Sequence, residues 1–450
     1  MSIGNIFRNY DIRGEYGTDL NPEIGEKIAK AFVAYAKPKK VVLGCDMRTS
    51  SPDLKEAILT GLLAMGIEVY DIGMVSTDVL YFSTWHYKMD GAIMVTASHM
   101  PKEFNGLKFL RLNESGKLAP IGRGLGMEEL EKITQEENWT ESEIKGLVYK
   151  KEVWSDFVNF VHSFVDINSF KPLKVIMDAG NGMGGVVAEK VFVNTNLDIT
   201  PMFFEPDGSF PNHTANPILP ENREDLVLKV KQEKADLGIA WDADCDRVYF
   251  IDENGDFVNG DFVTALLAVN FLEKKPGSNI VYDIRASKVV PDLVEKNGGH
   301  AHKEKVGHTY IKHRMRETEA IFGGEISGHY YFSDNEYMDS GFIPALMIIE
   351  MISKQNKTLS QLIKELGDYH VSGEINFTVT SVSDVLKKIE DKYSNAGDIN
   401  KMDGISFEFD DWRFNVRPSA NDPVLRLNLE AKTKEKMEEK LEEIRELIEN

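Results

Sequence analysis

The chain has 450 residues, 42% hydrophobic and 28% charged, with 52 basic against 73 acidic side chains and a formal net charge of −21. Such a length calls for two to four domains, and the acidic balance argues against nucleic acid or an anionic membrane surface as the main partner. Cys45 and Cys245 are too few and too distant for a disulfide framework, no apolar run approaches the roughly 18 residues of a membrane span, and the charged start "MSIGNIFRNYDIRG" is unlike a secretory signal, so a cytoplasmic chain is expected.

In chain order, the first clear unit is "VVLGCDMRTSS" from residue 41, an apolar strand that ends in an aspartate and runs through a polar turn into a helical pattern. The arrangement recurs in "KVIMDAGNGMGG" from 174 and "NIVYDIRASKVV" from 279. Three βα units imply three related α/β domains with mixed sheets. Charged "TQEENWTESEIKG" (134–146) and turn-rich "DENGDFVNGD" (252–261) mark boundaries. After Gly367, strand-like "GEINFTVTSV", "ISFEFDDWRFNVRPS" and "VLRLNLEA" precede a charged helix from Thr433, which reads as a C-terminal α+β domain. The expected domains are 1–150, 151–256, 257–367 and 368–450. In the closing helix the stripe Met437, Leu441, Ile444 and Ile448 is too short for a coiled coil and reads as packing on its own sheet.

The segment "MVTASHMPKEFNGLKF" (94–109) places Ser98 just after an apolar run. As a hydrolase nucleophile Ser98 lacks G-x-S-x-G, and His99, its chain neighbour, is poorly placed to be its base. It can be a plain turn serine, or a phosphoryl carrier at the C-terminal end of a strand, where open α/β sheets place ligands. In "MDAGNGMGGVVAEKVF", Gly180, Gly182 and Gly185 satisfy a dinucleotide-binding spacing, and Glu205 falls where a ribose-binding acid would. The simpler reading is a tight βα turn that needs glycine. In "LGIAWDADCDRVYFID" (237–252), Asp242, Asp244 and Asp246 alternate, and in extended chain their side chains share one side. Three such charges call for a hard divalent ion, and magnesium suits oxygen-only ligands, with Cys245 on the opposite side. An EF-hand is opposed by Arg247, which stands where its glycine is required, and by strand-like flanks. A phosphatase with Asp242 as nucleophile fits the metal but leaves Ser98 without a role. A solvated acidic turn is the bland option. Further on, "GGEISGHYYF" (323–332) spaces Glu325, Ser327 and His329 so that carboxylate, hydroxyl and imidazole could face one way toward sugar hydroxyls. Finally "RPSANDP" (417–423) offers Arg417, Ser419 and Asn421 in a turn able to cradle a phosphate.

Taken in order, "FRNYDIRG" (7–14), "TASHMPKEFNGLK" (96–108), "DADCDR" (242–247), "GEISGH" (324–329) and "RPSANDP" (417–423), together with "PDGSFPNHTANPILPEN" (206–222), resemble the α-D-phosphohexomutases, and within them the phosphomannomutase/phosphoglucomutase branch. The resemblance implies a four-domain, heart-shaped enzyme around a central cleft, monomeric or homodimeric. It implies that Ser98 carries a phosphate that moves between hexose 1-phosphate and hexose 6-phosphate through a 1,6-bisphosphate, glucose or mannose 1,6-bisphosphate acting as activator. Magnesium on Asp242, Asp244 and Asp246 would also touch the phosphoserine. Arg13 and Arg247 are then expected to stabilise charge, and Lys108 to act as acid/base with His308 as a second candidate. A magnesium-dependent sugar-phosphate phosphatase and a non-catalytic sensor on the same fold are the alternatives; a sensor would be expected to lose Ser98 or an aspartate, and all are present. The chain departs from the family pattern at Met100, Cys245, Ala420 and Asn421.

Overall fold

A computed structural model describes residues 3–394, 397–418 and 424–449 of the chain. It packs as two compact units, one made of the residues up to 258 with 327–360, the other of 259–326 with 361 onward. Among the described residues no helix is long and apolar enough to cross a membrane.

In the first unit, strand Lys40–Cys45 lies parallel to Glu68–Met74 on one side and Gly91–Val95 on the other. Residues 41–45 and 91–95 are buried throughout, as continuous apolar runs in a covered parallel sheet must be. Phe104–Leu112 continues the sheet antiparallel to Gly91–Val95, and Ile12–Glu15 pairs antiparallel beyond it. Helix Pro22–Ala36 starts where Asn21 accepts the Ile24 amide proton and Pro22 pre-sets the first turn. A second mixed sheet carries Lys174–Asp178 beside Leu237–Trp241, which turns back through 242–247 into antiparallel Val248–Ile251. Trp241 is fully buried and stacks on Phe342 at 4.8 Å, at the start of helix Phe342–Gln355.

In the second unit, Asn279–Asp283 lies between parallel His300–Glu304 and Phe322–Gly324. The C-terminal sheet is antiparallel, in the order His370–Phe377, Leu425–Ala431, Trp412–Pro418, Ile405–Glu408, Asp398–Asn400. Ile444 and Ile448 of helix Lys434–Glu449 are buried in the core of this sheet, with Met437 and Leu441 packed against it. Two expectations change here. The stretch read as one strand from 405 is a hairpin, Ile405–Glu408 and Trp412–Pro418, because 409–411 turn. The strand expected at 373–382 ends at Phe377, and Ser381 then opens a helix, Val382–Tyr393, by accepting the Asp384 amide proton.

The βα repeat seen in the sequence has one physical device behind it. The strand-end aspartate accepts the backbone N–H two residues on: Asp46 from Arg48 at 3.0 Å, Asp178 from Gly180 at 2.8 Å and Asp283 from Arg285 at 2.8 Å. Each strand therefore leaves the sheet through the same side-chain-bonded turn.

The glycines of 180–185 serve close packing. A Cβ on Gly185 would lie 2.1 Å from the Phe204 carbonyl oxygen, and one on Gly182 would lie 2.8 Å from both the Cα and the carbonyl oxygen of Ala243. Because the second contact presses on the aspartate turn, Gly182→Ala is expected to destabilise the fold by about 1–3 kcal/mol in denaturant unfolding. An unchanged midpoint would mean the turn gives way freely.

Candidate active site

Ser98 follows strand Gly91–Val95 with a backbone φ of +50°, a left-handed conformation that side-chain-bearing residues adopt at a cost. What holds it there is mostly Arg48. Its buried guanidinium donates to the carbonyls of Ser98 (2.6 Å), Met100 (2.6 Å), Pro101 (2.7 Å) and Phe104 (2.9 Å). The loop is thus braced through main-chain oxygens, that of Met100 among them. Thr96 accepts the Ser98 amide proton at 2.9 Å, and Arg13 donates to the Ala97 carbonyl at 2.8 Å while Asp11 grips its other edge.

The Ser98 hydroxyl donates to Asp242 Oδ2 at 2.7 Å and accepts from Arg247 Nη2 at 3.0 Å. Arg247 also donates to Asp242 through Nε at 2.9 Å and Nη2 at 2.7 Å. His99 comes closer than expected, with Nδ1 3.2 Å from Ser98 Oγ, which the left-handed turn at Ser98 permits. A guanidinium can only donate, so the contact from Arg247 makes Nδ1 an acceptor and takes up its lone pair. Burial, then the charge of Arg247, pushes the imidazole well below its usual pKa and keeps it neutral. His99 is therefore a neighbour of the serine with no free basic nitrogen on that side.

Asp242, Asp244 and Asp246 do converge, but in a tight turn and not in extended chain. Cys245 N donates back to Asp242 O at 3.2 Å, and Cys245 has φ +61°. Alternation along a strand is replaced by curvature, and the Cys245 thiol is buried with its sulfur 3.7 Å from the Asp242 carbonyl. One oxygen from each aspartate lies within 4.8 Å of the others, and Asp246 forms a second such group with His329 and Asp339. Asp244 Oδ1 is buried with no hydrogen-bond partner, the state of a carboxylate oxygen shaped to receive a cation. An oxygen-only trio fits a hard divalent ion.

Lys108, which faces Met94 across the antiparallel pair, donates to Asp244 Oδ2 at 2.6 Å and also bonds Asp246 Oδ2. Burial works against its charge, yet Asp244 and Asp246 hold the ammonium well above its ordinary pKa. Burial likewise pushes Asp242 up against the pull of Arg247. For Asp244, burial and Asp246 push upward but Lys108 and Thr77 prevail, leaving it below the usual range. Ser327 and His329 join this unit in a turn, Ser327 Oγ 3.2 Å from His329 Nδ1 and His329 Nε2 3.6 Å from Asp246 Oδ1.

In the second unit Glu325 is buried, 3.6 Å from Arg285 and accepting from the Gly307 amide at 3.4 Å, next to His308 at the start of helix His308–Thr318. His308 Nδ1 lies 3.4 Å from Lys312 Nζ. Arg417 is the penultimate residue of strand Trp412–Pro418 and meets Glu374 at 3.5 Å. Glu374 also accepts from Arg285 at 3.1 Å and Arg426 at 2.9 Å. Ser419 and Asn421 lie outside the described residues.

Arg48, Arg285 and Thr77 are site residues that sequence reasoning passed over. A signal existed for two of them, since "CDMR" and "YDIR" repeat Asp-x-Arg at the ends of equivalent strands.

Four family models, described as phosphoglucomutase/phosphomannomutase alpha/beta/alpha domains I, II and III and C-terminal domain, match residues 4–136, 155–255, 259–369 and 374–447. A phosphomannomutase of Vibrio cholerae serotype O1 is 41% identical, with 98% of each chain covered. Phosphohexose mutases of Xanthomonas campestris pv. campestris are similar at 38% identity over 95% of each chain. Among solved structures, a phosphoglucomutase/phosphomannomutase family protein from Burkholderia thailandensis superposes with a TM-score of 0.89 at 29% identity, covering 98% of this chain and 96% of that one.

An ammonium has three donors and cannot reach the four carbonyls that Arg48 spans. Arg48→Lys is expected to misplace Ser98 and lower kcat on the order of 10²-fold. Activity equal to wild type in steady-state assays would show that the left-handed turn holds without it.

Proposed function

The chain belongs to the phosphoglucomutase/phosphomannomutase family and is a phosphohexomutase, and from that premise we propose that Ser98 is its phosphoryl carrier between hexose 1-phosphate and hexose 6-phosphate. One observation carries the proposal most. The Ser98 hydroxyl is held in a strained turn with its proton directed at Asp242 Oδ2 and a guanidinium hydrogen on its oxygen. That arrangement suits an oxygen that is repeatedly phosphorylated and released.

In the forward half-reaction the bond from phosphorus to Ser98 Oγ breaks as a bond to the free sugar hydroxyl forms, giving a 1,6-bisphosphate. After the intermediate presents its other phosphate, that phosphate's bond to the sugar oxygen breaks as the Ser98 Oγ–P bond re-forms. In each half-reaction the proton of the attacking hydroxyl ends on the leaving oxygen, and in the second it leaves Ser98 by way of Asp242. Such transfer asks for positioning and charge stabilisation more than for covalent help from the protein. Arg247 and Arg13 supply fixed positive charge. Lys108, kept as an ammonium by its two carboxylates, acts as a cation and proton donor, with His308 the second acid/base candidate. Asp242, Asp244 and Asp246, with the Ser98 oxygens, would hold magnesium, which supplies charge neutralisation at the phosphoryl group.

Glu325, Ser327 and His329 are assigned to the sugar hydroxyls, and Arg417, Ser419 and Asn421 to the phosphate that is not being transferred. A glucose or mannose 1,6-bisphosphate is the expected activator. Mannose and glucose phosphates are the expected substrates, and the name of the Vibrio relative favours mannose. The domain ends at 150, 256 and 367 belong to this proposal. Against an aspartyl-phosphatase, Asp242 Oδ2 already accepts from Ser98 and from Arg247 twice, which makes it a poor free nucleophile.

Ser98→Ala is expected to remove a phosphorylated species from the intact mass and to lower mutase activity by orders of magnitude. Phosphate found on Asp242 would favour the phosphatase. Chelation of divalent ions is expected to abolish turnover and added magnesium to restore it; full activity under chelator would contradict the aspartate assignment.

A further inference from the structure

Thr77 opens helix Thr77–His86 and is fully buried, as is its neighbour Ser76. A buried hydroxyl must find an acceptor, and Thr77 Oγ1 donates to Asp244 Oδ2 at 2.6 Å. Its backbone N–H donates to the Asp244 carbonyl at 2.9 Å. One residue, distant in sequence from the aspartate turn, thus grips both the side chain and the main chain of the central aspartate.

The consequence is orientational. Asp244 Oδ2 accepts from Thr77 and from Lys108, each at 2.6 Å, while Oδ1 is buried and accepts nothing. With one oxygen saturated by two donors, the carboxylate cannot rotate about its terminal bond without losing both, and Oδ1 is left as the oxygen presented to a cation. The gripping helix is itself tied down. Asp78 accepts from Ser76 and, at 2.8 Å, from Ser340 Oγ, and the next amide, Gly341 N, donates to the Cys245 carbonyl at 3.0 Å. The aspartate turn is held from two sides by elements that are also bonded to each other.

We propose that Thr77 is a positioning residue that fixes the Asp244 carboxylate for divalent-cation binding through Oδ1. The inference rests on the assignment of the metal to Asp242, Asp244 and Asp246. Partners of this outer kind typically change metal affinity by roughly 10- to 100-fold when lost.

The test is calorimetric titration of magnesium into the full-length wild type, Thr77→Val and Thr77→Ser. Valine keeps the volume and removes the hydroxyl; serine keeps the hydroxyl. The expected result is magnesium affinity weakened at least about tenfold in Thr77→Val and restored to within about threefold of wild type in Thr77→Ser. Should valine not fold, Thr77→Ala removes the same hydroxyl and is read in the same titration. Wild-type affinity in a folded hydroxyl-free variant overturns the proposal and leaves Thr77 a packing residue. Wild-type protein that takes up no magnesium overturns the metal assignment itself, which separates the two failures.

Discussion

Three carboxylates and two cations share a volume from which water is nearly excluded, and their mutual neutralisation is the constraint that the rest of the site obeys. A buried charge is costly unless it is paired and hydrogen-bonded. Asp242 is answered by Arg247, and Asp244 with Asp246 by Lys108, so among these five groups negative charge exceeds positive by one (three minus two), before Asp339, a further buried carboxylate beside Asp246, is counted. Arg13 does not reduce the excess, since Asp11 already neutralises Arg13. A phosphoryl group on Ser98 adds roughly 1.5 to 2 further negative charges near neutral pH. The phosphorylated state is thus the one that most needs a divalent cation, and the aspartate turn lies directly beside the serine that would create that need.

Placement must be as tight as the charge balance is narrow. The left-handed conformation of Ser98 is adopted against its preference, and Arg48 fastens the loop from beneath through four carbonyls. The aspartate turn is fastened separately, by Thr77 on one side and Gly341 on the other. The proposed nucleophile and the proposed metal ligands therefore sit on two separately braced loops, joined where Ser98 meets Asp242. Neither loop depends on the other for its own hydrogen bonds to the scaffold, so either can be perturbed alone.

Much of this was legible from residue type and spacing. The strand-end aspartates, the serine after its strand, the aspartate trio and the C-terminal α+β module all appear where the pattern places them. What was hidden follows a physical rule: residues that act by holding main chain leave no chemical signature. Arg48 spends its donors on carbonyls, which every residue has, and Thr77 looks like any helix-opening threonine. The trio was located correctly for the wrong geometric reason, because a D-x-D-x-D run converges equally well in a tight turn, and only Cys245 at positive φ reveals which. Helix Val382–Tyr393 was missed because its apolar residues, Val385, Ile389 and Tyr393, were outweighed by the β-branched run before it; the Ser381 cap was the available clue. Glu325 and Arg417, singled out by residue type and spacing, are each engaged with charged neighbours, Arg285 and Glu374.

The central claim is that the phosphate rests on Ser98 and is handed directly to the sugar. It is tested most directly by loading the enzyme with radiolabelled phosphate from a hexose 1,6-bisphosphate, mixing it with unlabelled hexose 1-phosphate, and quenching on the millisecond scale. The account predicts that the label leaves the protein for hexose phosphate in a single turnover, at least as fast as kcat. Label that stays on the protein through many turnovers, or that departs only as inorganic phosphate, would contradict it.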